Sequence, residues 1–353
     1  MFWLGLILPI CYVVPYTGAA IPTQWPVLSI ALTWGLWRKG NVEAILPLLA
    51  VLAWGCISLT WAPSAVISVY GLWIACIWAL SLWLGTTIES LDALWKGLAI
   101  GLSISSTVAI GQHYGLSLVE GSSDFPPGLL YNSTVHAFCI AVVILGLMIG
   151  RHWLYIPAML PGLYLAHSRG GYAVFAIGVL GRFVKLRILL SCLVGGSVYF
   201  YLHLGPSDVD RIHIWAVAMS GMSWVGNGIG SFIMVFYQDG GHVVHPGRVH
   251  NDYLELWFEL GIGACLVFMV LAKAAVTESK YQSILVAILV GGLFYFPLYL
   301  PITAFLAFLL AGHALRDFRW SWPRGGNWRY FADSRKTARK SGNDGMGDAD
   351  IPV

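Results

Sequence analysis

Three arginines and one histidine are the residues in this chain whose types and settings could do chemistry. Arg169 stands in His167-Ser168-Arg169-Gly170-Gly171, Arg211 in Asp210-Arg211-Ile212-His213-Ile214-Trp215, and Arg248 two residues before His250-Asn251-Asp252. A guanidinium at the edge of an apolar phase is costly without an anionic partner, and its planar donor fork fits phosphate oxygens singly or in pairs. Three of them on one face would suit a phosphorylated lipid. The competing reading has them paired with Asp208, Asp210, Glu255 or Glu259, or reaching lipid head groups. After His250-Asn251, the acids Asp252, Glu255 and Glu259 recur at i, i+3 and i+7, which is one face of a helix. Carboxylates so near lipid must face a bundle interior or a wet cavity. His250 lies at the mouth of that face. An imidazole titrates near neutral pH, so it can take a proton from a hydroxyl or hold one against a phosphate. The alternative is a histidine at a helix start whose neighbouring glutamates serve as structural partners for arginine.

The elements that must position these groups follow from composition. Of 353 residues, 58% are hydrophobic and only 10% charged, with a mean hydropathy of +0.73. A soluble domain carries roughly a quarter charged residues. Lipid is the expected solvent, and backbone in lipid is restricted to helices or a closed barrel. Unbroken apolar runs such as 45–58 and 264–272 lack the alternation of barrel strands, so the expected fold is an all-α polytopic membrane protein. With about 20 residues per span, the expected helices are 2–18, 23–37, 44–61, 66–85, 93–112, 134–150, 153–167, 171–184, 188–205, 252–272, 281–296 and 300–315. With the N-terminus in the cytoplasm, seventeen of the twenty Lys and Arg fall on the cytoplasmic side, leaving Arg169, Arg211 and Arg248 on the other. Both termini are then expected inside.

Residues 1–316 are the expected membrane domain, and 317–353 a charged, Gly-rich cytoplasmic tail expected to be disordered. The stretch 206–251 is the expected large external loop between the ninth and tenth spans, with an amphipathic helix over 209–222 presenting Ile212, Ile214, Trp215 and Met219. The six cysteines fall in apolar runs without paired spacing and read as small buried hydrophobes. His213, His242, His245 and His250 share the loop but lack zinc-motif spacing, so no metal and no cofactor is expected. Gly226-Asn227-Gly228-Ile229-Gly230 lacks the Lys and Ser/Thr of a phosphate loop and reads as a turn of close backbone approach. A net charge of +3, carried mostly by the tail, leaves no nucleic-acid footprint.

In their order, these motifs resemble the O-antigen ligase and polymerase superfamily of bacterial membrane glycosyltransferases. The resemblance rests on Ser168-Arg169-Gly170, on Arg211 with Trp215, on Gly226-Asn227-Gly228 with Phe232, and on His250-Asn251 followed by Glu259-Leu260-Gly261; the segment 128–137, with Asn132, is similar to a further family stretch. It covers residues 128–265. Ser223 stands where the family has Pro, and Ala264 where many ligases have Gly, Thr or Tyr. The resemblance implies metal-independent transfer of a saccharide from undecaprenyl diphosphate to a lipid or glycan acceptor at the periplasmic face of the inner membrane. It further implies that Arg169 and Arg211 clamp the diphosphate and that His250 orients or deprotonates the acceptor. Arg248, Asn251, Glu255, Glu259 and Asn132 are expected to contact substrate. The polymerase of the same superfamily is the alternative within the class, and a small-anion or solute transporter the alternative outside it.

Overall fold

The computed structural model describes residues 1–11, 24–116, 125–130, 132–183, 206–239 and 242–319. The expected ninth span, the later part of the first and nearly all of the tail lie outside these residues. By its contacts the chain divides into Met1–Phe318 and Arg319–Val353, and the architecture below is that of the first unit.

The described part is almost entirely helical. Its helices are α1 (Phe2–Ile7), α2 (Gln24–Thr33), α3 (Val42–Ser58), α4 (Ala65–Thr87), α5 (Asp92–His113), α6 (Ser133–Gly150), α7 (Leu160–Leu165), α8 (Arg169–Phe183), α9 (Pro206–Ser220), α10 (Asp252–Leu260), α11 (Ala264–Val276), α12 (Gln282–Gly291) and α13 (Pro301–Ala314). Two short antiparallel strands, β1 (Tyr237–Asp239) and β2 (His242–Val244), pair Tyr237 with Val244 in the loop after α9. Four stretches are long and apolar enough to cross a membrane: α4, α5, α6 and the continuous Asp252–Val276. Large apolar side chains such as Trp37, Val66 and Leu154 stand exposed, a surface that suits lipid better than water.

Where the helices stop short of expectation, proline or glycine is the reason. The stretch 153–167 is not one continuous helix: a 3₁₀ turn at Trp153–Tyr155 is followed only by the six-residue α7. Pro157 and Pro161 remove donors there and crowd the preceding turns. The helix expected over 281–296 ends at Gly291, and Pro297 opens a 3₁₀ turn, so residues 292–298 leave the helix. Asp252–Val276 is interrupted by a 3₁₀ turn at Gly261–Gly263.

One contiguous apolar core runs through the bundle, in which α4 packs on α13 and α3, α1 on α5, and α8 on α6 and α12. A second, smaller core of Ile214, Ala218, Phe232, Val249 and Phe258 seats α9 on α10. The buried side of α9 is therefore the Ile214 to Ala218 stripe, while Met219 points outward, unlike the expected face. This small core places Arg211.

Candidate functional site

Three helices begin at one place, each behind a capping side chain. Asn132 caps α6, its Oδ1 accepting from the Thr134 and Val135 amides at 2.8 and 3.3 Å. Ser168 stands before α8, and its Oγ accepts from the Gly171 amide at 3.2 Å. Asn251 caps α10, accepting from the Tyr253 and Leu254 amides at 3.0 and 3.1 Å. Gly171 packs against Ala137 of α6, which sets the start of α8 beside the start of α6. The start of α10 is tied to the end of α12 by Asn251 Nδ2 donating to Leu293 O (3.1 Å) and the Asp252 amide donating to Gly292 O (2.8 Å). Tyr295 closes the ring through its hydroxyl, which donates to Asn132 Oδ1 at 3.4 Å. Three helix N-termini thus gather around residues 292–298, and their dipoles favour an anion there.

The residues ahead of two of these caps are held in the left-handed region. His167 (φ 45°) precedes Ser168 and His250 (φ 58°) precedes Asn251, two of the three non-glycine residues with positive φ among those described. Histidine tolerates this region better than most side chains, yet the conformation persists only where its surroundings impose it. The His250 ring lies edge-on to Phe296 (5.1 Å between centroids) and tilted against Tyr295 (6.0 Å). Its Nδ1 is buried without a hydrogen-bond partner among the described residues. Burial lowers its pKa to about 4, helped by the positive charges of Arg211 and Arg248, so the ring is neutral at pH 7.

Arg248, Glu255 and Glu259, expected to contact substrate, are joined in an internal network. Arg248 Nη1 donates to Glu255 Oε1 at 2.6 Å, and the Val249 amide donates to Glu255 Oε2 at 3.0 Å. Tyr299 Oη donates to Glu259 Oε2 at 2.7 Å, and the Phe232 amide to Oε1 at 3.4 Å. Both glutamates are wholly buried, and the Arg248 guanidinium lies 4.3 Å above the Tyr299 ring. Burial opposes the Arg248 charge, but Glu255, Glu259 and Tyr299 outweigh it and hold the guanidinium above its ordinary pKa. Glu255 therefore fixes the backbone at 248–249, and Glu259 ties the 3₁₀ turn at Ser231–Met234 to Tyr299. Trp215 adds a second tie, its Nε1 donating to Val249 O at 3.0 Å. Asn132 and Asn251 are likewise occupied by capping and by their ties to residues 293–295. Asp252 is buried too; its Oδ2 accepts from the Leu298 amide at 3.0 Å.

The glycine turn at 226–230 explains the break in the span. The Asn227 and Gly228 amides donate to Phe258 O (2.9 Å) and Glu259 O (3.0 Å), while the Ile262 amide donates to Trp224 O (2.8 Å). Gly226 (φ 77°) and Gly261 (φ 54°) lie so close that a Cβ on either would run into the other's backbone. The carbonyls released at the interruption are thereby satisfied by the loop, with Trp54 Nε1 taking Leu260 O at 2.9 Å.

Of the expected site residues, Arg169 is exposed, and Arg211 and His250 are half-buried; these three can meet a ligand. Tyr295, Phe296 and Tyr299 were not foreseen. They sit in Phe294-Tyr295-Phe296-Pro297-Leu298-Tyr299-Leu300-Pro301, whose two prolines are the signal that this apolar run is not a helix. Chemically, the arrangement offers guanidinium groups and helix N-termini for an anion, next to a neutral imidazole able to take a proton. No family model matches the chain, and comparison with curated proteins finds no match.

Proposed function

We propose that the chain is a bacterial membrane glycosyltransferase of the O-antigen ligase type, moving a saccharide from undecaprenyl diphosphate to an acceptor hydroxyl at the periplasmic face of the inner membrane. One observation carries the reading: the neutral His250 ring lies within the electrostatic reach of Arg211, at the convergence of three capped helix N-termini, one of which begins with Arg169. A lipid diphosphate is already a good leaving group, so such an enzyme needs mainly to hold it and to activate the acceptor. Arg169 and Arg211 hold the diphosphate and meet the negative charge that grows as it departs. His250 takes the acceptor proton as the acceptor oxygen bonds to the sugar's anomeric carbon and the bond to the diphosphate oxygen breaks. Arg248 keeps His250 in place and lowers its affinity for a proton in the resting site. The reading includes twelve spans, both termini inside and the loop 206–251 outside, as the distribution of Lys and Arg demands.

Polymerase chemistry joins two lipid-linked units and calls for two diphosphate sites. Only three arginines lie on the expected external side, and one of them, Arg248, is bonded to Glu255, a number that suits one diphosphate and favours the ligase. A transporter is the second reading, and the interrupted span Asp252–Val276 is the observation in its favour. In broken transporter helices the freed carbonyls line a cavity, whereas here they accept from residues 227–228 and Trp54. Deleting the gene in a strain that makes a surface glycan, and resolving that glycan by gel, tests the proposal. Bare lipid core with glycan accumulating on its carrier supports the ligase, and core capped with a single repeat supports the polymerase. An unchanged glycan sinks both.

A further inference from the structure

Residues 292–298 join two parts of the site that are otherwise built from separate helices. On one side, α9 and α10 carry Arg211 and His250; on the other, α6 and α8 carry Asn132 and Arg169. Tyr295 touches both. Its ring stacks on Phe296 (4.2 Å between centroids, 27°) and lies against His250, while its other neighbours are Phe138 of α6 (6.4 Å) and the Oδ1 of Asn132 (3.4 Å). Asn132 in turn fixes the first turn of α6, and Thr134 and Ala137 in the next turns meet Gly170 and Gly171 at the head of α8. Among the described residues no carboxylate or carbonyl orients His250 through its buried Nδ1, and the ring's direction there is set by aromatic packing and by the strained backbone at φ 58°.

We propose that Tyr295 is the positioning residue of this site: it sets the His250 ring on one side and, through Asn132, the head of the Arg169 helix on the other, so that base and clamp keep one spacing. The proposal rests on reading His250 and the arginines as a diphosphate-dependent transfer site, but its geometry can be tested without transfer.

Asn132→Ser keeps a capping oxygen but is too short to reach Tyr295, and Tyr295→Phe removes only the hydroxyl. In the full chain in lipid nanodiscs, carbethoxylation of His250 followed by mass spectrometry reports how freely its ring moves and titrates. Tyr295→Phe and Asn132→Ser should each raise the His250 rate by about two- to tenfold, the size of effect one hydrogen bond supports. The midpoint of the rate against pH should move up from about 4 toward the ordinary histidine range in both, with Arg211 and Arg248, the charges facing His250, left in place. The double variant should be no worse than either single one, because both remove the same contact. Unchanged rates or additive effects would overturn the proposal. Undecaprenyl diphosphate, titrated onto the wild-type chain, is the second probe. If wild type fails to bind it, the functional reading falls, and the carbethoxylation result still decides the role of Tyr295.

Discussion

Charge placement at single residues separates the clamp from its support. Arg169→Lys and Arg211→Lys keep the charge but lose the fork, so each should lower transfer by roughly ten- to hundredfold while insertion stays normal. Full transfer by both Lys variants, measured on membranes with equal protein, would reduce these arginines to anchors. Glu255→Gln should act on stability instead, because it leaves the Arg248 charge among apolar groups with its 2.6 Å partner neutralised. A loss of about 3 kcal/mol or more is expected, read as the thermal midpoint in detergent, whereas replacing both partners with Met should cost much less. His250 gives a pH signature. Its pKa in the fold, about 4, lies below the ordinary 6.5, so the unfolded chain binds the proton more readily. Its contribution to stability is therefore present above pH 6.5 and is lost as pH falls from about 6.5 to about 4. The thermal midpoint of His250→Gln should vary less than wild type across that window, and parallel curves would refute the assignment.

At the level of elements, the junction between the loop at 226–230 and the 3₁₀ turn at Gly261–Gly263 ties the loop to the end of α10. Gly261→Ala should be among the most damaging small changes in the chain, combining φ +54° with a collision against the Trp224 carbonyl. Gly170→Ala, in the Ser-Arg-Gly motif, should be nearly silent, because its new Cβ meets only Ser168 Oγ at 3.8 Å and Thr134 Cγ2 at 4.0 Å. Comparing the yield of folded protein for the two variants checks this pair, and equal losses would mean that the junction carries no special load. Several elements were legible beforehand. The face made by Asp252, Glu255 and Glu259 is a matter of helical period, and all three are buried as that period requires. The broken helix at 153–167 and the early end of α12 trace to prolines and glycines that an average over apolar residues hides.

For the whole molecule, orientation is the claim that every other one depends on. Reporter fusions after Arg38, Lys185 and Lys280 should behave as cytoplasmic, and fusions near Gly205 or Gly240 as exported. An inverted result at Gly240 would put His250 and Arg211 on the cytoplasmic side, away from any periplasmic acceptor.

What the sequence determined by itself is whatever depends on composition and near neighbours. Its hydropathy demands helices with lipid-facing surfaces, its spacing puts three acids on one helix face, and its capping residues mark where α6, α8 and α10 begin. That Arg248 serves structure was decided only by the tertiary fold, because folding brings Glu255 and Tyr299 onto it. The same holds for Tyr295, which meets Asn132 across 163 residues of chain. Such a contact has no period or local signature, because it exists only once packing has set the two helix ends side by side.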